Sequence, residues 1–231
     1  MIDYLKKYLK TDLEEGIKKL NEGIPVQYIV GNVDFCGNII DVNENVLIPR
    51  FETEELVDRT IKRLKNKTNP KIVDLGTGSG CIAITLAKSL NTTIDAVDIS
   101  PKALEVAKNN ALKNNVSINF YLGNMLEPLS NKYDCIISNP PYIAYDEEVM
   151  DIVKNNEPHI ALYAENNGLQ YYEQILSNCK NYLNDKALIA FEIGETQGEQ
   201  IKQLAHKYLD CDVAIEKDLQ EKDRFVFINL K

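Results

Sequence analysis

The tetrapeptide Asn139-Pro140-Pro141-Tyr142 stands directly after the apolar run Cys135-Ile136-Ile137. Two consecutive prolines lack backbone donors and fix φ, so they end a strand and hold the next turn rigid. A carboxamide before that turn and an aromatic ring after it make a small, stiff polar pocket. Such a pocket suits a planar NH2 group, which can donate to the Asn139 oxygen and to a nearby main-chain carbonyl. Taken alone, the four residues read first as an ordinary strand-ending loop, and their surroundings reverse that reading.

A second group is Asp74-Leu75-Gly76-Thr77-Gly78-Ser79-Gly80. Its three glycines allow φ above zero and a close approach of backbone to a ligand. The spacing is G-x-G-x-G and not the G-x-G-x-x-G of dinucleotide folds. Cys81 and Ile82 stand where a phosphate-binding loop has lysine and serine or threonine. A loop headed by an acid and lacking lysine suits a ligand that carries positive charge and no phosphate. S-adenosylmethionine, with its ammonium and sulfonium, is such a ligand. Asp98 lies 18 residues after Gly80, where its carboxylate can accept from both ribose hydroxyls. Further on, the Asn124 oxygen can accept from an adenine amino group and Met125 can lie against the ring. The structural alternatives are a tight strand-to-helix turn, a helix-capping acid, and a turn residue followed by a core methionine.

The elements that must position these groups follow from apolar periodicity. Leu5, Leu9, Leu13, Ile17 and Leu20 mark one helical face, and Thr11 with Glu14 resembles a capping box that divides it into two short helices. Val26–Val30, Val33–Phe35 and Ile39–Ile40, separated by Gly31-Asn32 and Gly37-Asn38, read as short β-hairpins. A helix with acidic residues in its first turn begins near Pro49 and runs to about Lys65. Strands then alternate with helices: strands at 71–75, 93–97, 118–122, 133–138, 187–191 and 213–216, with Pro101 opening one helix and another near 168–182. The run Phe225–Leu230 follows with no intervening helix, so it pairs antiparallel as a terminal hairpin. This pattern is α/β: a doubly wound, mostly parallel, Rossmann-like sheet with a C-terminal antiparallel hairpin. That hairpin separates the class I methyltransferase variant from a dinucleotide-binding one.

The 231 residues carry 26 Lys+Arg against 35 Asp+Glu, a net charge of −9. Such an acidic chain is a poor candidate for stable nucleic-acid or anionic-membrane binding, which needs clustered Lys and Arg. The five cysteines are odd in number, widely spaced and mostly inside apolar runs, which suits free thiols in a reducing, cytoplasmic setting. No signal-peptide core or membrane-length apolar run is present in the sequence.

Several motifs occur in order: Ile48-Pro49-Arg50-Phe51-Glu52-Thr53-Glu54, the glycine loop, Asp98-Ile99-Ser100-Pro101, Ser138 through Ile143, Glu157-Pro158, Gly168-Leu169, Phe191-Glu192-Ile193-Gly194 and Asp223-Arg224-Phe225. Together, over roughly residues 24–230, they resemble the HemK/PrmC family, class I methyltransferases that modify a glutamine side chain in peptide chain release factors. The resemblance implies a substrate site at Asn139, Pro140, Pro141 and Tyr142, with Asn139, Pro140 and Tyr142 carrying catalysis. It implies S-adenosylmethionine contacts at Asp74, Gly76, Thr77, Gly78, Ser79, Gly80, Asp98, Asn124, Met125 and Asn139, with S-adenosylhomocysteine as product and no metal. The expected division is a reduced N-terminal helical segment (1–24), a β-hairpin connector (25–48) and the methyltransferase domain (49–231), acting as a monomer. Two features depart from the family pattern. Asn124-Met125 replaces an aspartate followed by an aromatic or bulky residue, and about 24 residues stand where several helices are usual.

Arg50, Glu52 and Thr53 are read as fixing the junction between hairpins and core, His159 as a loop residue, and Asp223-Arg224 as an ion-paired clasp on the terminal hairpin. Glu192 is either an acid behind the site or part of a sheet-edge turn. Three rival functions compete. An adenine N(6)-methyltransferase can grip a flipped base with the same tetrapeptide, but the charge opposes it. A glutamine methyltransferase acting on another protein, such as a ribosomal protein, is the second. A cofactor-binding scaffold without turnover is the third, and the intact Asn139–Tyr142 turn argues against it.

Overall fold

The computed structural model describes residues 1–231. Three short helices come first: α1 (Ile2–Tyr8), α2 (Leu13–Asn21) and α3 (Val26–Val30). The hairpin β1 (Asn32–Phe35) and β2 (Asn38–Asp41) follows, then α4 (Phe51–Leu64). Beyond it run β3 (Ile72–Leu75), α5 (Cys81–Leu90), β4 (Ile94–Asp98), α6 (Pro101–Lys113), β5 (Ile118–Leu122) and β6 (Tyr133–Ser138). The chain finishes with α7 (Asp151–Asn156), α8 (Gln170–Asn178), β7 (Leu183–Glu192), α9 (Gly198–Tyr208), β8 (Cys211–Lys217) and β9 (Asp223–Leu230).

The seven-stranded sheet has the order β5-β4-β3-β6-β7-β9-β8. All pairings from β5 to β7 are parallel, while β9 is antiparallel to both β7 and β8. Alternate residues of the central strands feed two apolar layers. Cys135 and Ile137 face one layer with α4, α5 and the β1–β2 hairpin; Ile136 faces the other with α8 and α9. Val33, Phe35 and Ile40 of the hairpin are buried in the same cluster as Leu56 and Ile84, so hairpin and sheet share a core. Each such fully buried side chain contributes about 1.5–3 kcal/mol.

One expected strand does not form. Val26–Val30 is a single helical turn and not a strand, despite its β-branched and aromatic content. Pro25 opens the turn, and its carbonyl accepts from the Tyr28 and Ile29 amides. Gly31, at φ 85°, closes it by donating to the Gln27 carbonyl. The Tyr28 hydroxyl donates to the Val46 carbonyl at 2.7 Å, a tertiary contact that overrides strand propensity. The N-terminal division into two helices is as expected, but Asp12 is the cap, accepting from the Glu14 amide, and Thr11 is not.

Candidate active site

The parallel strands β3, β4 and β6 end side by side, and their C-terminal loops carry the residues with chemical potential. After β3, Gly76 and Gly78 adopt φ of 72° and 54° with open space where a Cβ would stand. The loop is tied down from behind: the Gly76 and Thr77 amides both donate to the Val97 carbonyl at 2.9 Å. At the end of β4, Asp98 accepts from the Gly78 amide through Oδ2 and the Ser100 amide through Oδ1, each at 2.8 Å. With about four lone-pair sites, the carboxylate keeps acceptor capacity beyond these amides. Burial raises the Asp98 carboxyl above its ordinary value, against the pull of the Ser100, Gly78 and Ile99 amides.

Gly76, Gly78, Asp98, Asn124, Met125 and Asn139 line one cleft. Asp74, Thr77, Ser79 and Gly80 lie beneath or beside it and do not line it. Thr77 turns inward and donates to Asp74 Oδ2 at 2.6 Å. Asp74 is fully buried, and burial pushes its carboxyl up to about 7. A Cβ at Gly80 would meet Ala107 of α6 at 3.2 Å, so this glycine permits close packing of the loop on α6. Met125 is buried, at φ 45°, with its side chain in the core beside the cleft. The Asn124 amide nitrogen reaches Glu127 at 3.3 Å, leaving its oxygen as an acceptor. An acceptor carboxylate, glycines leaving room, an apolar sulfur and no lysine fit the nucleoside and sulfonium of S-adenosylmethionine.

A second cavity, of about 480 Å³, adjoins the first and is lined by Pro140, Tyr142, Ile143, Met150 and Glu192, among others. Asn139 borders both cavities. Its Nδ2 donates to the Thr53 hydroxyl at 3.0 Å, and that hydroxyl donates to Glu192 Oε2 at 2.6 Å. Glu192 is buried, and desolvation pushes its carboxyl up to about 7 against the pull of Thr53, Arg224 and Asn139. Burial also raises the Tyr142 phenol above its ordinary value.

The turn is braced by residues to which the sequence assigned no role. Gln197 Nε2 donates to the Tyr142 carbonyl at 2.9 Å, while its Oε1 accepts from the Gly194 amide. Ile143 donates to the Leu162 carbonyl and accepts from the Ala164 amide. The cleft wall at Asn45, Val46 and Leu47 was not foreseen either. It is held by Glu157, whose carboxylate accepts from the Ile48 amide at 3.0 Å and from the Arg50 guanidinium. Arg50 thus serves the junction as expected, and Glu157, met first only as a motif residue, is its buried partner. His159 contacts the Lys154 carbonyl and the edge of Tyr163, away from the chemistry. Arg224 pairs with Asp218 and Asp223 with Lys217, the expected clasp.

Comparison with known proteins bears on this geometry. The family model "Methyltransferase small domain" matches residues 34–157. A release factor glutamine methyltransferase of Flavobacterium psychrophilum is 41% identical over 227 residues, covering 94% of this chain and 80% of the relative. One from Enterococcus faecalis is 44% identical over 225 residues, covering 95% and 79%. The chain belongs to the release factor glutamine methyltransferase family. The solved protein-(glutamine-N5) methyltransferase (release factor-specific) of Alicyclobacillus acidocaldarius superposes with a TM-score of 0.51 at 26% identity, covering 83% of this chain and 99% of that one. No helix of this family member is long and apolar enough to cross a membrane.

Proposed function

We propose that this methyltransferase transfers the methyl group of S-adenosylmethionine to the side-chain amide nitrogen of a glutamine in a peptide chain release factor. The observation that carries the reading is the position of Asn139 between two cavities. One has the acceptors and open glycines a nucleoside sulfonium needs; the other, about 480 Å³ and lined in part by Pro140 and Tyr142, has room for a glutamine side chain and neighbouring peptide. The names of the relatives supply the acceptor protein.

An amide nitrogen is a weak nucleophile because its lone pair is delocalised into the carbonyl. The bound cofactor supplies an electrophilic methyl on a good leaving group. The protein's task is alignment. Asn139 Oδ1 and the Pro140 carbonyl would accept the two amide hydrogens and orient the nitrogen toward the donor; as the N–C bond formed, the methyl–sulfur bond would break and one amide hydrogen would leave as a proton to solvent. The Tyr142 ring covers the amide plane and keeps water out. Asp98 would hold the ribose end of the donor and Met125 would lie against the base. Positioning and placed dipoles of this kind supply several kcal/mol of barrier lowering.

Mass spectrometry of a purified release factor after incubation with the enzyme and S-adenosylmethionine tests this. The expected result is one added methyl on the glutamine of the Gly-Gly-Gln segment, absent with Asn139→Ala at saturating cofactor. No methylation by wild type, or undiminished turnover by the variant, refutes the proposal.

A further inference from the structure

We infer that Thr53 is a positioning residue that sets which way the Asn139 carboxamide faces, and that Glu192 determines the setting. The inference rests on the reading of Asn139 as the acceptor of the substrate amide hydrogens. Thr53 lies in the first turn of α4, 86 residues from Asn139 in sequence, and is buried between Asn139 and Glu192.

A hydroxyl has one hydrogen to donate and two lone pairs to accept with. Ionised Glu192 only accepts, so the Thr53 hydrogen goes to it, at 2.6 Å. Thr53 Oγ1 is then purely an acceptor toward Asn139. The Asn139 nitrogen must face Thr53, at 3.0 Å, and Oδ1 must face the cavity. The two ends of a carboxamide have nearly the same shape, so nothing steric makes this choice. Protonated Glu192 reverses it. With the proton on Oε2 the acid donates to Thr53, which frees the Thr53 hydrogen to turn to Asn139, and the carboxamide then presents its oxygen to Thr53. Its NH2 now faces the substrate NH2, donor against donor, and the site loses its acceptor.

The charges that face Glu192 set where this occurs. Glu52 on α4 favours the protonated form and Arg224 on β9 favours the ionised one. Asn139 and Tyr142 approach from the turn, and the Tyr172 hydroxyl on α8 donates to the Glu192 main-chain carbonyl. With burial the carboxyl stands at about 7, so turnover falls as the pH drops through neutrality while cofactor binding holds.

The test uses wild type with Thr53→Val, Thr53→Ser and Glu192→Gln. Turnover on a release factor and cofactor affinity by calorimetry are followed from about pH 6 to about pH 9. Expected are a roughly 10- to 100-fold loss of kcat in Thr53→Val with cofactor Kd unchanged, and substantial recovery in Thr53→Ser. The acid limb of kcat is expected in wild type and a flat profile in Glu192→Gln. The Asn139 side-chain NH2 resonances, assigned by their loss in Asn139→Asp, report the same event without substrate, and should titrate near neutrality in wild type only. Wild-type kcat in Thr53→Val, or an acid limb or NH2 titration that survives in Glu192→Gln, overturns the inference. If wild type leaves the release factor unmodified while the NH2 titration is present, the acceptor assignment falls and the carboxamide switch stands.

Discussion

Gly168 has less room for a Cβ than any other glycine of the chain, and Gly168→Ala tests the alignment mechanism directly. Its φ is 80°, where a Cβ is strained by about 1–2 kcal/mol. The added Cβ would lie 2.0 Å from the Tyr142 carbonyl oxygen and 2.4 Å from Gln197 Nε2. An ordinary carbon–oxygen contact is about 3.3 Å or more, so the Tyr142 carbonyl must retreat by more than about 1 Å. The 2.9 Å Gln197 bond to that carbonyl then breaks, removing about 1 kcal/mol more. The total, roughly 2–3 kcal/mol, lowers Tm by roughly 5–10 °C in a domain of this size. A displacement of about 1 Å at an aligning group costs about 100-fold in rate. Steady-state methylation should therefore show kcat down about 100-fold, with cofactor Kd unchanged because Gly76, Gly78 and Asp98 are untouched. Gly37→Ala is the control: its φ is 74°, nothing lies within 4 Å of the added Cβ, and it sits in the β1–β2 turn. It should show the backbone strain in Tm and wild-type kcat. If Gly168→Ala turns over within about threefold of wild type, alignment by the turn is not what limits the reaction.

Asp98→Ala strands the Gly78 and Ser100 amides and removes the ribose acceptor; cofactor affinity by calorimetry should weaken by at least ~10-fold, and unchanged affinity contradicts the assignment. Arg50→Met leaves buried Glu157 with only the Ile48 amide as partner. Breaking a buried pair costs about 3–5 kcal/mol, and the partial exposure of Arg50 reduces this to about 1–3 kcal/mol, measurable by urea unfolding. Asp74, at about 7 in the fold against an ordinary 3.8, holds a proton that the unfolded chain releases. Its contribution is complete below pH 3.8 and is lost as the pH rises to about 7. Asp74→Asn should therefore gain stability relative to wild type between about pH 5 and about pH 8; an equal difference at both ends argues against a protonated Asp74.

The sheet was legible because each of its strands is a short apolar run between glycine, proline or polar punctuation. Tyr133–Ser138 and Ile118–Leu122 match their strands residue for residue. Periodicity misled at Val26–Val30, where composition pointed to a strand and flanking Pro25 and Gly31 decided for a helix. It was silent on α7, a polar segment with no apolar stripe. At the site, the residues with unusual chemistry were visible, and the residues that orient them were not. Thr53, read as a junction residue, instead meets Asn139, and Gln197, to which no role was given, meets Tyr142, from 86 and 55 residues away. Asp74 and Ser79, expected at the cofactor, are buried beneath or beside the glycine loop because β3 is covered on both faces.

The strand order β7-β9-β8 has a consequence for how the molecule is made. β9 is later in sequence than β8, yet it lies between β7 and β8. During synthesis, β7 therefore emerges with one edge unpaired, and its stretch Leu188–Glu192 is wholly apolar apart from Glu192. Phe225 is the register partner of Glu192, so the strand edge beside the residue behind Asn139 is paired only after residues beyond 223 leave the ribosome. Until then the nascent chain carries an adhesive edge of the kind that recruits chaperones or mispairs. The site behind Asn139 is thus complete only once β9 has taken its place between β7 and β8.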